Sequence, residues 1–163
     1  MKHKTDIAAA VCALGFVAVL AVSAYWDPGI RVLHAFEAVP YVVAGVLCLR
    51  RQKFGYALGA AAGAFWLWMA GFLTTFVANG FERLAMLIRT GTVDRLDVLI
   101  AVPAAAAAGG LVLFSMIGYA RLPNKSSADA FLWAAALLVI PLFFVGIFAM
   151  LAPHYLAMFE GVF

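Results

Sequence analysis

The chain has 163 residues, of which 67% are hydrophobic and only 12% charged, with a mean hydropathy of +1.05. Soluble domains carry about 25% charged residues, so the expected class is an all-α polytopic membrane bundle, one transmembrane domain over residues 1–163. The net charge of +3 is what basic loops at one membrane face would supply, and no interleaved aromatic and basic stretch points to nucleic acid.

Five spans are expected. Lys2, His3 and Lys4 precede the first, residues 6–26. Val22-Ser23-Ala24 would serve as a signal-peptide cleavage site, but the apolar run is long enough to cross a hydrocarbon core of ~30 Å, and it is read as an uncleaved span. The second span covers 28–49. Asp27 suits its N-cap and Pro28 its first turn, and Arg50, Arg51 and Lys53 form a basic loop beyond it. The third span is placed at 54–79, with Asn79-Gly80 as its stop. Gly55, Gly59 and Gly63 recur every four residues along it, a flat groove for helix packing.

Residues 81–90 form an amphipathic pattern, with Phe81, Leu84, Ala85 and Ile88 opposite Glu82, Arg83 and Arg89. A short helix lying in the interface is expected there. The fourth span, 96–120, is interrupted by Pro103 and Gly109-Gly110. Ser126 and Asp129 resemble a capping box ahead of the fifth span, 128–152, in which Pro141 introduces a bend. His154 to Phe163 form a tail with a further interfacial turn. Lys2, Lys4, Arg50, Arg51, Lys53, Arg121 and Lys125 collect on one side, whereas Arg31, Arg83, Arg89 and Arg95 are balanced by Asp27, Glu82, Asp94 and Asp97 on the other. By the positive-inside rule the N-terminus is cytoplasmic and the C-terminus outside, in a bacterial-type inner membrane.

The second span carries the costly groups. At ~100° per residue, Arg31, His34, Glu37, Tyr41, Gly45 and Cys48 share one face, and Leu33, Phe36, Val39, Val43 and Leu47 the other, lipid-facing one. Glu37 falls near mid-span, where a carboxylate costs at least ~2.5 kcal/mol. Arg31, His34 and Glu37, spaced i, i+3, read as a polar ladder from the interface inward. Trp66 and Trp68 lie at a similar depth, away from the interfaces that tryptophan prefers. Trp66 is expected to donate its indole N–H to Glu37, so the candidate cluster is Arg31, His34, Glu37, Tyr41, Trp66 and Trp68.

Enzyme signatures are absent. His34-Ala-Phe-Glu37 is not a His-Glu-x-x-His zinc motif, and no Gly-x-Ser-x-Gly, P-loop or dinucleotide fingerprint occurs. Thr74, Thr75 and Ser115 have no base near them in sequence, and their hydroxyls are expected to bond their own helix backbone. Cys12 and Cys48 read as packing residues, not a disulfide. No cofactor or metal motif appears, and the chain is expected not to be an enzyme.

Three readings of function follow. One is a non-catalytic small subunit of a larger membrane complex for transport or electron transfer, its partners the lipid bilayer and other membrane subunits. The alternative is a homo-oligomeric, proton-coupled carrier of a hydrophobic cation, using Glu37 walled by Trp66, Trp68 and Tyr41. A haem or quinone site at His34, with His154 as a second ligand, rests on two histidines alone.

Overall fold

A computed structural model describes residues 4–156. Those residues are helical, with no strand. The elements are α1 (Lys4–Trp26), a 3-10 turn (Pro28–Ile30), α2 (Arg31–Leu49), α3 (Lys53–Trp68), a π-helical turn (Met69–Leu73), α4 (Phe76–Thr90), α5 (Leu96–Leu99), α6 (Ala101–Ala120), α7 (Asp129–Leu151) and a 3-10 turn (Pro153–Leu156). Five stretches are long and apolar enough to cross a membrane: Lys4–Trp26, Pro28–Leu49, Lys53–Leu73, Leu96–Ala120 and Asp129–Leu151. The rest of the expected tail, like Lys2 and His3, lies outside the described residues.

Short connections force successive helices to run antiparallel. α1 packs on α2 and α6, and α3 packs on α2 and α6, so these four close a ring, with α7 applied to the outside of α3. All nine residues from Gly55 to Gly63 are buried. A helix enclosed on so many sides needs small side chains, and the Gly-x-x-x-Gly-x-x-x-Gly series provides them. A Cβ on Gly55 would meet the α2 backbone 2.7 Å from Leu47 C, and one on Gly63 would lie 2.7 Å from the Ala108 carbonyl oxygen of α6. The expected groove is therefore used twice, against two different helices.

The third span is shorter than expected. Asn79-Gly80 does not stop a helix but lies inside α4. The break comes earlier, at Thr74, which is extended (φ −126°, ψ 161°). Its hydroxyl donates to the Ala70 carbonyl and accepts from the Phe76 N–H, ending one helix and starting the next as serine and threonine do at such junctions. Gly80 is buried because α4 crosses α6 there; a Cβ would sit 2.8 Å from that of Ala101. The glycine signal was real, but it marked a helix crossing. The amphipathic helix thus begins at Phe76, five residues before its expected start. In the fourth span, the discontinuity between α5 and α6 falls at Ile100, one turn before Pro103, whose missing N–H leaves that turn short of a bond.

Two polar clusters tie the helices together at the end opposite the α2 N-terminus. Tyr56 Oη donates to Asp6 Oδ1 at 2.7 Å, and Arg51 Nε stands 3.7 Å from Asp6 Oδ2. Lys53 Nζ donates to Asp129 Oδ1 at 2.8 Å, and Tyr119 Oη to Asp129 Oδ2 at 3.0 Å. The Ser126 N–H and Oγ also donate to Asp129 (3.3 and 3.2 Å), so only the reach-back half of the expected capping box forms, Ala128 being the N-cap with no side-chain bond; α3 and α6 add further partners. Asp129 is thereby the main polar link between α7 and the ring. Asp129→Asn should lower the thermal midpoint in detergent and raise hydrogen exchange selectively in the first turns of α7; exchange rising equally in α1 would show that the link is not local to α7.

Candidate functional site

The register of the α1–α2 hairpin sets what meets at its closed end. The chain reverses at Asp27-Pro28-Gly29, with Asp27 Oδ1 accepting from the Gly29 N–H at 2.9 Å. Residues whose numbers sum to about 57 then face each other. Gly45 packs on Ala13, and one hairpin length up, His34 meets Ser23.

His34 Nδ1 lies 2.6 Å from Glu37 Oε2, and His34 Nε2 lies 3.1 Å from Ser23 Oγ. Glu37 is buried at 6% exposure, and His34 is half-buried. A carboxylate held away from water needs a donor or a cation, and the imidazole one turn earlier supplies it. The expected ladder is thus realised in its inner half only. Arg31 turns back and donates from Nε to the Ala24 carbonyl oxygen at 2.9 Å, leaving His34 to bridge to α1 instead.

The pair opens onto a cavity of about 650 Å³, within the usual range for small-molecule sites. Its floor is Phe16, Glu37 and Trp66, with Phe148 on the wall; its mouth, at the closed end of the hairpin, is rimmed by Trp26, Asp27 and Asp97. The three rim residues are exposed. Among the lining residues there are three carboxylates (Asp27, Glu37, Asp97), one imidazole and no lysine or arginine. Asp97 is engaged by Arg95, whose Nη2 donates at 2.6 Å. With Asp97 paired, Asp27 and Glu37 keep the lining acidic, and low-dielectric walls of one charge sign concentrate the opposite charge inside.

Aromatic placement departs from expectation. The Trp66 indole does not reach Glu37; its ring meets Phe16 edge-on at 5.0 Å, and no hydrogen bond joins it to the carboxylate. Tyr41 lies beneath the floor, stacked on Phe16 at 4.2 Å and donating to the Ala62 carbonyl oxygen at 3.2 Å. Trp68 points away, into a separate hollow of about 180 Å³ with Phe65, Leu137 and Pro141. Two residues apart on a helix, Trp66 and Trp68 cannot share a direction. The aromatic lining is therefore Phe16, Trp26, Trp66, Phe76 and Phe148. Leu33, expected to face lipid, is 5% exposed and lines the cavity, because the buried face of α2 is wider than the polar stripe.

Both ring nitrogens of His34 are occupied, so a haem iron would have to displace Glu37 or Ser23. His154 is exposed in the turn after α7. Among the described residues, no three His, Cys, Asp or Glu side chains converge as metal ligands.

Sequence reasoning missed Ser23, Phe16, Asp27 and Asp97 as parts of one site. In the sequence Ser23 reads only as a small residue, and the two aspartates only as a cap and a charge. The fold-back register of the hairpin is the signal that would have brought Ser23 to His34. Compared with protein-family models, curated proteins and solved structures, the chain matches none of them.

Proposed function

We propose that this is a multi-pass membrane protein, non-enzymatic in this role, that takes up a hydrophobic organic cation and acts as a small carrier. The observation that carries this reading is Glu37, buried on the floor of a cavity with aromatic walls and two carboxylates at its mouth. A cationic ligand would pass Asp27 and Asp97, place its charge near Glu37 and lay its apolar body against the aromatic lining of Trp26, Trp66 and Phe76, ring systems that attract cations. The His34–Glu37 pair is the group through which proton coupling would act. Charge balance supports an inner-membrane orientation with the N-terminus cytoplasmic and the mouth outside. At the mouth end Arg31, Arg83, Arg89 and Arg95 are matched in number by Asp27, Glu82, Asp94 and Asp97, with Arg83 paired to Asp94 at 2.8 Å and Arg95 to Asp97 at 2.6 Å; at the other end Arg51 and Lys53 pair with Asp6 and Asp129, and Arg50, Arg121 and Lys125 make no ion pair among the described residues.

Isothermal titration of the detergent-purified protein tests this with benzyltrimethylammonium, a permanent cation bearing one ring. Saturable binding that benzenesulfonate, an anion of similar size, does not reproduce is the expected result. Equal binding of the two, or of neither, would overturn the reading.

α7 favours a second reading, a small subunit of a larger membrane complex. It packs chiefly on α3 and leaves Phe131, Leu138, Leu142 and Met150 exposed, a surface that suits another membrane helix as well as lipid. Co-purification of a heterologous membrane protein at fixed stoichiometry would support it.

A further inference from the structure

Ser23, His34 and Glu37 are joined in series: Oγ to Nε2 at 3.1 Å, Nδ1 to Oε2 at 2.6 Å. The proton positions follow from what each group can do. In the state in which Glu37 is a carboxylate it only accepts, and His34 Nδ1 carries the hydrogen and donates it. The neutral ring then presents a lone pair at Nε2, and the Ser23 hydroxyl must donate into it. That is the order of nucleophile, base and orienting acid that activates a serine, and such a triad is recognised by geometry and roles, not by sequence motif. Ser23 comes from the last turn of α1, and His34 and Glu37 from the first turns of α2. All three line the cavity of about 650 Å³.

We propose that Ser23–His34–Glu37 is an acyl-transfer centre that cleaves carboxylic esters entering the cavity from its mouth. This goes beyond cation uptake and does not depend on it. Ser23 Oγ attacks the ester carbonyl carbon and its proton passes to His34 Nε2. The carbon–alkoxy bond breaks, the alkoxide leaves with that proton, and the acyl group stays on Oγ. Water then attacks the acyl-serine by the same route in reverse, giving the free acid and restoring the hydroxyl. Glu37 is the positioning residue: it holds the ring with Nε2 toward Ser23 and carries the counter-charge when the ring is protonated. With three carboxylates in the lining, the substrate class is a neutral or cationic ester with an apolar acyl chain; anionic esters are excluded by the same field.

An alkyl fluorophosphonate tests this on the intact protein, because a competent serine forms an Oγ–phosphorus bond and expels fluoride whatever the natural substrate. Peptide mass mapping should place the adduct on Ser23, and Ser23→Ala should abolish it. Glu37→Gln, which keeps the size and loses the charge, should slow labelling about 100-fold or more. Glu37→Asp, which shortens the chain and keeps the charge, should retain more of the rate than the glutamine variant; a purely packing role would rank the two the other way. Hydrolysis of p-nitrophenyl butyrate should follow the same order. Labelling of the wild type no faster than of Ser23→Ala, or an adduct on another residue, would overturn the proposal and leave the cation titration untouched. Loss of cation binding with labelling intact would sink only the carrier reading.

Discussion

Glu37→Gln is expected to weaken benzyltrimethylammonium binding by about 100-fold, or about 2.7 kcal/mol, while the bundle stays folded. The carboxylate is the only acid on the cavity floor, and it is buried at 6% exposure. A charge interaction made there escapes most of the screening that weakens it in water. Truncating one partner of a buried charge pair costs about 2–5 kcal/mol in binding, and the amide keeps the volume, so the loss is electrostatic. Folding should respond differently. The side-chain oxygen of glutamine can still accept from His34 Nδ1, so that donor is not left unpaired, and the thermal midpoint should move by no more than about 3 °C. Titration and thermal unfolding on one preparation separate the two effects. Unchanged affinity in the glutamine variant would show that the rim aspartates, and not the floor, hold the cation.

Gly55→Ala should cost about 3 kcal/mol of stability, near the upper end for overpacking, whereas Gly146→Ala should be stabilising by about 0.5–1 kcal/mol. The added methyl is the same in both. At Gly55 it would press on main-chain atoms of α2, 2.7 Å from Leu47 C and 2.9 Å from Cys48 N, and main chain in the last turn of a packed helix cannot move aside. At Gly146 nothing lies within 4 Å, and the only consequence is the better helix propensity of alanine. Gly63→Ala should resemble Gly55→Ala, because the obstacle is again backbone, the Ala108 oxygen. Thermal unfolding in one detergent for the three variants is the measurement. Equal midpoints for Gly55→Ala and Gly146→Ala would mean that α2 and α3 are less closely packed than these distances require.

How much of this was legible beforehand depends on range. The five apolar stretches were readable because span length and composition are local properties set by bilayer thickness. The inward face of α2 from His34 to Cys48 was readable because helical periodicity is also local. The end of the third span was misplaced. Asn79-Gly80 carries a stop signal in isolation, and only the packing of Gly80 on α6 explains a glycine in mid-helix. Trp66 lines the cavity, but its partner is the ring of Phe16 and not Glu37, since a rotamer answers to neighbours on other helices.

The chain by itself determined that five segments are apolar enough to span a membrane, that one face of the second carries His34 and Glu37, and that glycines at four-residue spacing give the third a flat face for packing. Each of these follows from interactions within a few turns. Only the tertiary structure decided that Ser23 meets His34, that Arg31 leaves the ladder for Ala24, and that Asp27 and Asp97 share the mouth of one cavity. Those meetings depend on how the hairpin folds back and where α5 docks, and a one-residue shift in register would turn every one of these side chains by about 100° and part them.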